Sequence, residues 1–101
     1  MIGRRITAEQ AENMANIEPG DYWYDPKRNG WYAACPTPKD SDGLIACLAF
    51  LFRHNVEENP DGTITVTPSI LVSAEGSTAP KAWKDEHYYH GWLTAGEWIT
   101  A

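Results

Sequence analysis

Residues 21–35 read DYWYDPKRNGWYAAC. Two aromatic segments, Asp21–Asp25 and Trp31–Cys35, flank Pro26-Lys-Arg-Asn-Gly30. Trp and Tyr suit pleated, half-buried surfaces, and Asn-Gly is a strong short turn signal. The stretch therefore predicts a β-hairpin with aromatic rings on both arms. It sets the texture of everything that follows it.

On the N-terminal side, Thr7-Ala-Glu-Gln10 has the form of a capping box, in which the Thr hydroxyl and Gln amide satisfy backbone donors at a helix start. Good helix formers continue to Asn16, and Glu18-Pro-Gly20 stops them, so residues 7–17 are expected to form a short helix. On the C-terminal side, Pro36–Gly43 (PTPKDSDG) reads as a loop. Leu44–Phe52 (LIACLAFLF) is apolar without alternation. It fits a strand buried on both faces or a buried helix, and its length and aromatic content favour the strand.

Asn59-Pro-Asp-Gly62 predicts a type I turn. Thr63–Thr67 then alternates, with Ile64 and Val66 on one face and three threonines on the other. Pro68 cannot donate to a ladder, so this strand lies at an edge or is bulged there. Ile70–Val72 continues it, and Ala74–Asp85 reads as a polar loop. His87–Leu93 and Trp98–Thr100 form a last hairpin around Thr94-Ala-Gly-Glu97. The expectation is one mainly β domain over 1–101, with the helix at 7–17 and antiparallel hairpins over 21–101. It would form a compact antiparallel sheet or small barrel of five to six strands.

Composition narrows the function. The chain has 101 residues and a formal net charge of −6, which disfavours phosphate-backbone binding and direct nucleic-acid recognition. The nine-residue apolar run 44–52 falls well short of a membrane-spanning helix. No apolar stretch of signal-peptide type follows MIGRR, so the expected location is cytoplasmic. Cys35 and Cys47 could pair, but in a reducing compartment they default to two free thiols.

Sites for chemistry are sparse. Cys35, His87 and His90 are the metal candidates, but no closely spaced ligand pair of the zinc type is present. His87 and His90, three apart on a strand, would point to opposite faces. Cys35 shows no helix N-terminus or other feature that would lower its pKa. Asp40/Asp42, Glu57/Glu58 and Asp85/Glu86 read as solvated surface, and neither a phosphate-binding glycine loop nor a hydrolase elbow occurs. No cofactor and no enzymatic activity are expected. The informative feature is the aromatic set: Tyr22, Trp23, Tyr24, Trp31 and Tyr32 in the first hairpin, and Tyr88, Tyr89, Trp92 and Trp98 in the last. Tyr88, His90 and Trp92 would share one strand face. If such a row stays uncovered it is a recognition surface, because aromatic rings dominate protein-binding hot spots and stack on sugars. The candidate binding residues are thus Tyr22, Trp23, Tyr24, Trp31, Tyr32, Tyr88, His90, Trp92 and Trp98.

Two stretches carry a resemblance. Thr63-Ile-Thr-Val-Thr-Pro-Ser-Ile70 and Tyr89-His-Gly-Trp-Leu-Thr-Ala-Gly-Glu-Trp98 together resemble small phage and prophage proteins of unassigned function. These pair a T-x-x-P-S-I strand with a terminal [YW]-H-G-x-[LI]-x-x-G-x-W hairpin. The likeness covers residues 21–101 and leaves out the N-terminal helix. Some members carry more cysteines ahead of the motif, and this chain does not. The resemblance implies a viral or prophage origin rather than an activity, so the expected cytoplasm is that of a host cell.

Small size, acidity and aromatic content then favour a non-enzymatic binding protein that acts on a host protein. A basic, nucleic-acid-handling target or a host-defence complex fits the charge. A carbohydrate-binding module and a phage structural or accessory homo-oligomer are the alternatives.

Overall fold

The computed structural model describes all residues, 1–101. The chain is mainly β. Strands β1 (Arg4–Arg5), β2 (Asp21–Asp25), β3 (Gly30–Ala34) and β4 (Leu48–Phe50) form one sheet in that order. Strands β5 (Asn55–Glu58), β6 (Ile64–Val72), β7 (Tyr89–Thr94) and β8 (Glu97–Thr100) form a second. Eight strands in two sheets replace the expected five or six. All neighbours are antiparallel except β1 and β2, which are parallel.

The inner faces of the two sheets share one core. The first sheet contributes Tyr22, Trp31, Ala33, Cys35, Cys47, Ala49 and Leu51; the second contributes Ile64, Val66, Ile70, Tyr89, Leu93 and Trp98. The side-chain alternation of strands explains this sorting. Trp31, Ala33 and Cys35 point in, while Tyr32 and Ala34 point out into a second cluster with Ile6, Ile17, Trp23 and Ile45. Strand β3 is consequently buried on both faces.

One edge stitches the sheets together. Arg4 and Arg5 pair with β2, while Ile2 bridges to Glu97 of β8. The Gly3 amide donates to the Gly96 carbonyl at 2.8 Å, and the Trp98 amide to the Met1 carbonyl at 2.8 Å. A side chain at Gly3 would put its Cβ 2.6 Å from the Gly20 carbonyl oxygen and 2.9 Å from the Trp98 indole nitrogen, so the crossover has no room for one. At the opposite edges β4 and β5 do not pair, and no closed barrel forms.

Three local readings change. The N-terminal helix is a single turn, α1 (Ala8–Ala11), followed by a 3-10 turn at Met14–Asn16. Its capping box is made: the Thr7 hydroxyl accepts from the Gln10 amide at 3.1 Å, and Gln10 Oε1 accepts from the Thr7 amide at 2.8 Å. Second, Lys81–Glu86, read from sequence as loop, is a short helix α2. Its residues are good helix formers, and Lys81 pairs with Asp85 at 2.6 Å across one turn. Third, Leu44–Phe52 is strand only at 48–50.

Pro68 resolves as a bulge rather than an edge. Strand β6 is central, and its register with β7 shifts between Val66 and Ile70. The proline is exposed, and the Thr67–Pro68 peptide is cis. The hairpin turns follow their residues: Asn29 (φ 50°) ends the first, and Ala95 (φ 48°) with Gly96 (φ 76°) make the last, the two left-handed positions that a type I′ turn requires.

Candidate binding surface

Cross-strand register builds an aromatic row on the outer face of the first sheet. Trp23 of β2 lies opposite Tyr32 of β3, and Tyr32 lies opposite Phe50 of β4. Trp23 and Tyr32 stack at 5.5 Å with planes 12° apart. Tyr32 meets Phe50 and Phe52 edge-on, each at 5.3 Å. Edge-to-face contact at this spacing is favourable beyond simple area burial.

The row passes from covered to open. Trp23 and Tyr32 are 6% and 8% exposed, shielded by Ile6, Ile17, Ile45 and the apolar side of α1. Phe50 and Phe52 are 60% and 49% exposed. Phe52 lies against the Cα of Gly30, where any side chain would run into its ring. Glycine at the start of β3 thus creates the seat that Phe52 occupies.

Beside the covered end is an open cleft of about 470 Å³ between α1 and the β2–β3 turn. Trp23, Tyr32 and Leu48 form its floor, with Ala8 and Ala11 on one wall. Glu9, Glu12 and Asp25 stand on its rim against a single cation, Lys27. Neither glutamate is engaged in an ion pair; the four ion pairs are Arg4–Asp21, Arg5–Glu58, Lys39–Glu18 and Lys81–Asp85. The rim is therefore net acidic and free to interact.

The other aromatic candidates fall in different places. Tyr22, Trp31 and Trp98 are core residues. Trp31 carries the guanidinium of Arg5 over its ring at 4.9 Å, and Trp98 donates from Nε1 to the Gly20 carbonyl at 2.9 Å. Tyr24 is half-buried, with its hydroxyl bonded to Asn29 Oδ1. His90 and Trp92 do share the outer face of the second sheet, their rings 5.8 Å apart, and Trp92 is 41% exposed. Leu71 and Ile99 flank them in register and are also exposed. Tyr88 precedes β7 and is exposed. Five of the nine proposed surface residues, Tyr22, Trp23, Trp31, Tyr32 and Trp98, are thus buried, because strand alternation and the N-terminal cover turn them inward.

Phe50 and Phe52 escaped the sequence reading. Their signal was the outward set Leu48, Phe50, Phe52 against the inward set Ala49, Leu51. It was masked because both sets are apolar.

The metal candidates do not converge. Cys35 lies in the inner core, His87 stacks on Trp83 at 4.0 Å at the end of α2, and His90 sits on the outer face of the second sheet. No group of three metal-binding side chains is brought together. His90 Nε2 meets Ser69 Oγ at 3.2 Å, but no carboxylate bonds the other ring nitrogen to orient the imidazole. Cys35 and Cys47 are adjacent free thiols. The neighbouring Cys47 thiol and burial push the Cys35 thiol above its ordinary pKa. No helix is long and apolar enough to cross a membrane. No family model, characterised protein or solved structure matches the chain.

Proposed function

We propose that this is a small, acidic, non-enzymatic binding protein that uses the outer face of its first sheet to engage a basic protein. The carrying observation is the pair of exposed phenylalanines, Phe50 and Phe52, held edge-on against Tyr32 beside a carboxylate-rimmed cleft. Exposed large aromatics gathered on one face characterise interaction sites rather than inert surface. The free carboxylates of Glu9 and Glu12, with Asp25 beside them, add charge complementarity to a Lys/Arg-rich partner, which raises the association rate. The phage-like motif pair at 63–70 and 89–98 supports a bacterial host as the setting, its cytoplasm as the location, and a host-defence or nucleic-acid-handling protein as the target.

The test is affinity capture from bacterial lysate with the wild-type chain and with Phe50→Ser/Phe52→Ser. The expected result is one stoichiometric basic protein, retained by the wild type, released at high salt and lost in the double variant. Capture that ignores both phenylalanines overturns the assignment of this face. Binding to a glycan array in place of protein capture favours the carbohydrate reading. A concentration-dependent oligomer seen by light scattering, with no captured partner, favours the structural one.

A further inference from the structure

We propose that Cys35 and Cys47 are a cross-strand thiol pair that closes to a disulfide in the folded protein, clamping edge strand β4 onto β3. This goes beyond the binding role and does not depend on it. The β3–β4 register pairs Ala33 with Ala49 and Ala34 with Leu48, and one further step brings Cys35 opposite Cys47. The Cys35 amide donates to the Cys47 carbonyl at 3.0 Å, which confirms the pairing. Both side chains belong to the same inner cluster and are 1% exposed. Hydrogen-bonded antiparallel partners have Cα atoms about 5.5 Å apart, inside the span of roughly 4.4–6.8 Å that disulfides occupy.

The neighbours favour closure. Ala33 and Ala49 are the next pair along the same face, so small side chains flank the two sulfurs. Strand β4 is three residues long and lies at a sheet edge, so local opening there exposes Cys47. The oxidant is a small-molecule disulfide of the oxidised glutathione type. The Cys47 thiolate attacks one of its sulfurs, the S–S bond breaks, and one glutathione thiolate leaves. Cys35 gives up its proton to that thiolate and attacks the Cys47 sulfur of the mixed disulfide. The second glutathione leaves as a thiolate and takes a proton from water. Two protein thiols are oxidised and one external disulfide is reduced. Cys47 adjoins the edge strand and is the attacking thiol, while Cys35 extends the central strand β3 and is the resolving one. The clamp closes the loop 36–46, which carries Ile45 of the outer cluster, and pins the strand that presents Phe50.

The test exposes the folded full-length chain to oxidised glutathione and follows intact mass, alkylation and melting. The expected product has lost the mass of two hydrogens, resists iodoacetamide, and reverts with dithiothreitol. Its Tm is higher by roughly 10 °C, as expected for closing a loop of this size. Cys35→Ser, lacking the resolving thiol, is expected to hold a stable glutathione adduct on Cys47. In a second arm the chain is oxidised in denaturant and refolded; it is expected to regain the native circular dichroism and the higher Tm. An unchanged mass for the folded protein overturns the proposal. So does glutathione retained on both cysteines, or an oxidised chain that refolds to a lower Tm.

Discussion

The indole nitrogen of Trp98 donates to the carbonyl oxygen of Gly20 at 2.9 Å, a buried contact between residues 78 positions apart. It joins strand β8 of the second sheet to the residue just before strand β2 of the first. The crossover segment Met1–Gly3 runs beside it, so this single hydrogen bond marks where the two sheets become one structure. Trp98→Phe retains a ring but leaves the Gly20 carbonyl without this donor. The expected loss is about 2–3 kcal/mol of unfolding free energy, read from urea denaturation followed by circular dichroism.

Gly3→Ala attacks the same junction from the other side. Its Cβ would meet the Gly20 carbonyl oxygen at 2.6 Å, a backbone atom that cannot swing away. Overpacking of this kind costs about 1–3 kcal/mol, so the variant is expected to melt several degrees lower. An unchanged Tm in differential scanning calorimetry would show that the N-terminal segment does not hold the sheets together.

Removing the exposed rings is expected to separate binding from folding. Phe50 and Phe52 are about half exposed and rest edge-on against Tyr32, so Phe50→Ser/Phe52→Ser should cost about 1–3 kcal/mol and leave the chain folded while abolishing partner capture. Gly30→Ala is the more discriminating change. It leaves both phenylalanines and all charges in place but evicts the Phe52 ring from its seat. Partner affinity, measured by calorimetric titration, is expected to fall by about tenfold.

The acidic rim should act mainly on encounter. Glu9→Lys/Glu12→Lys reverses two free carboxylates beside the cleft without touching the core. The association rate with a basic partner is expected to drop by about tenfold at low salt, and the difference should shrink as salt is added. A change confined to the dissociation rate would argue for direct contact instead of steering.

Buried tyrosines set an alkaline limit. Burial raises the hydroxyl pKa of Tyr22 and of Tyr89 above the ordinary value. Below about pH 10 both groups are protonated in the folded and unfolded chains, and their contribution is fully present. As pH rises past that point the unfolded chain ionises first, and stability falls until the folded-state pKa values are passed. Melting between about pH 9 and 11.5 is expected to show this decline, with a shallower slope in Tyr22→Phe.

The sequence by itself determined turns and caps but not the extent of the elements, since α1 ends after one turn, α2 read as loop, and only 48–50 of the apolar run is strand. Asn-Gly and Ala-Gly positions placed the two hairpins, the capping box placed the start of α1, and Pro68 announced its irregular strand, because each depends on backbone conformations that neighbouring residues dictate. It also marked Trp and Tyr as the residues to follow. Only the tertiary structure decided which of those rings meet water. The same alternation that makes Tyr22 and Trp31 core puts Trp23 and Tyr32 on the other face, and a short N-terminal segment then covers them. No local feature tells that cover to stop before Phe50 and Phe52, since burial depends on what packs across the sheet and not on the strand itself. The meeting of Cys35 with Cys47 is of the same kind. Twelve positions separate them in the chain, and only the pairing of β3 with β4 brings them opposite each other.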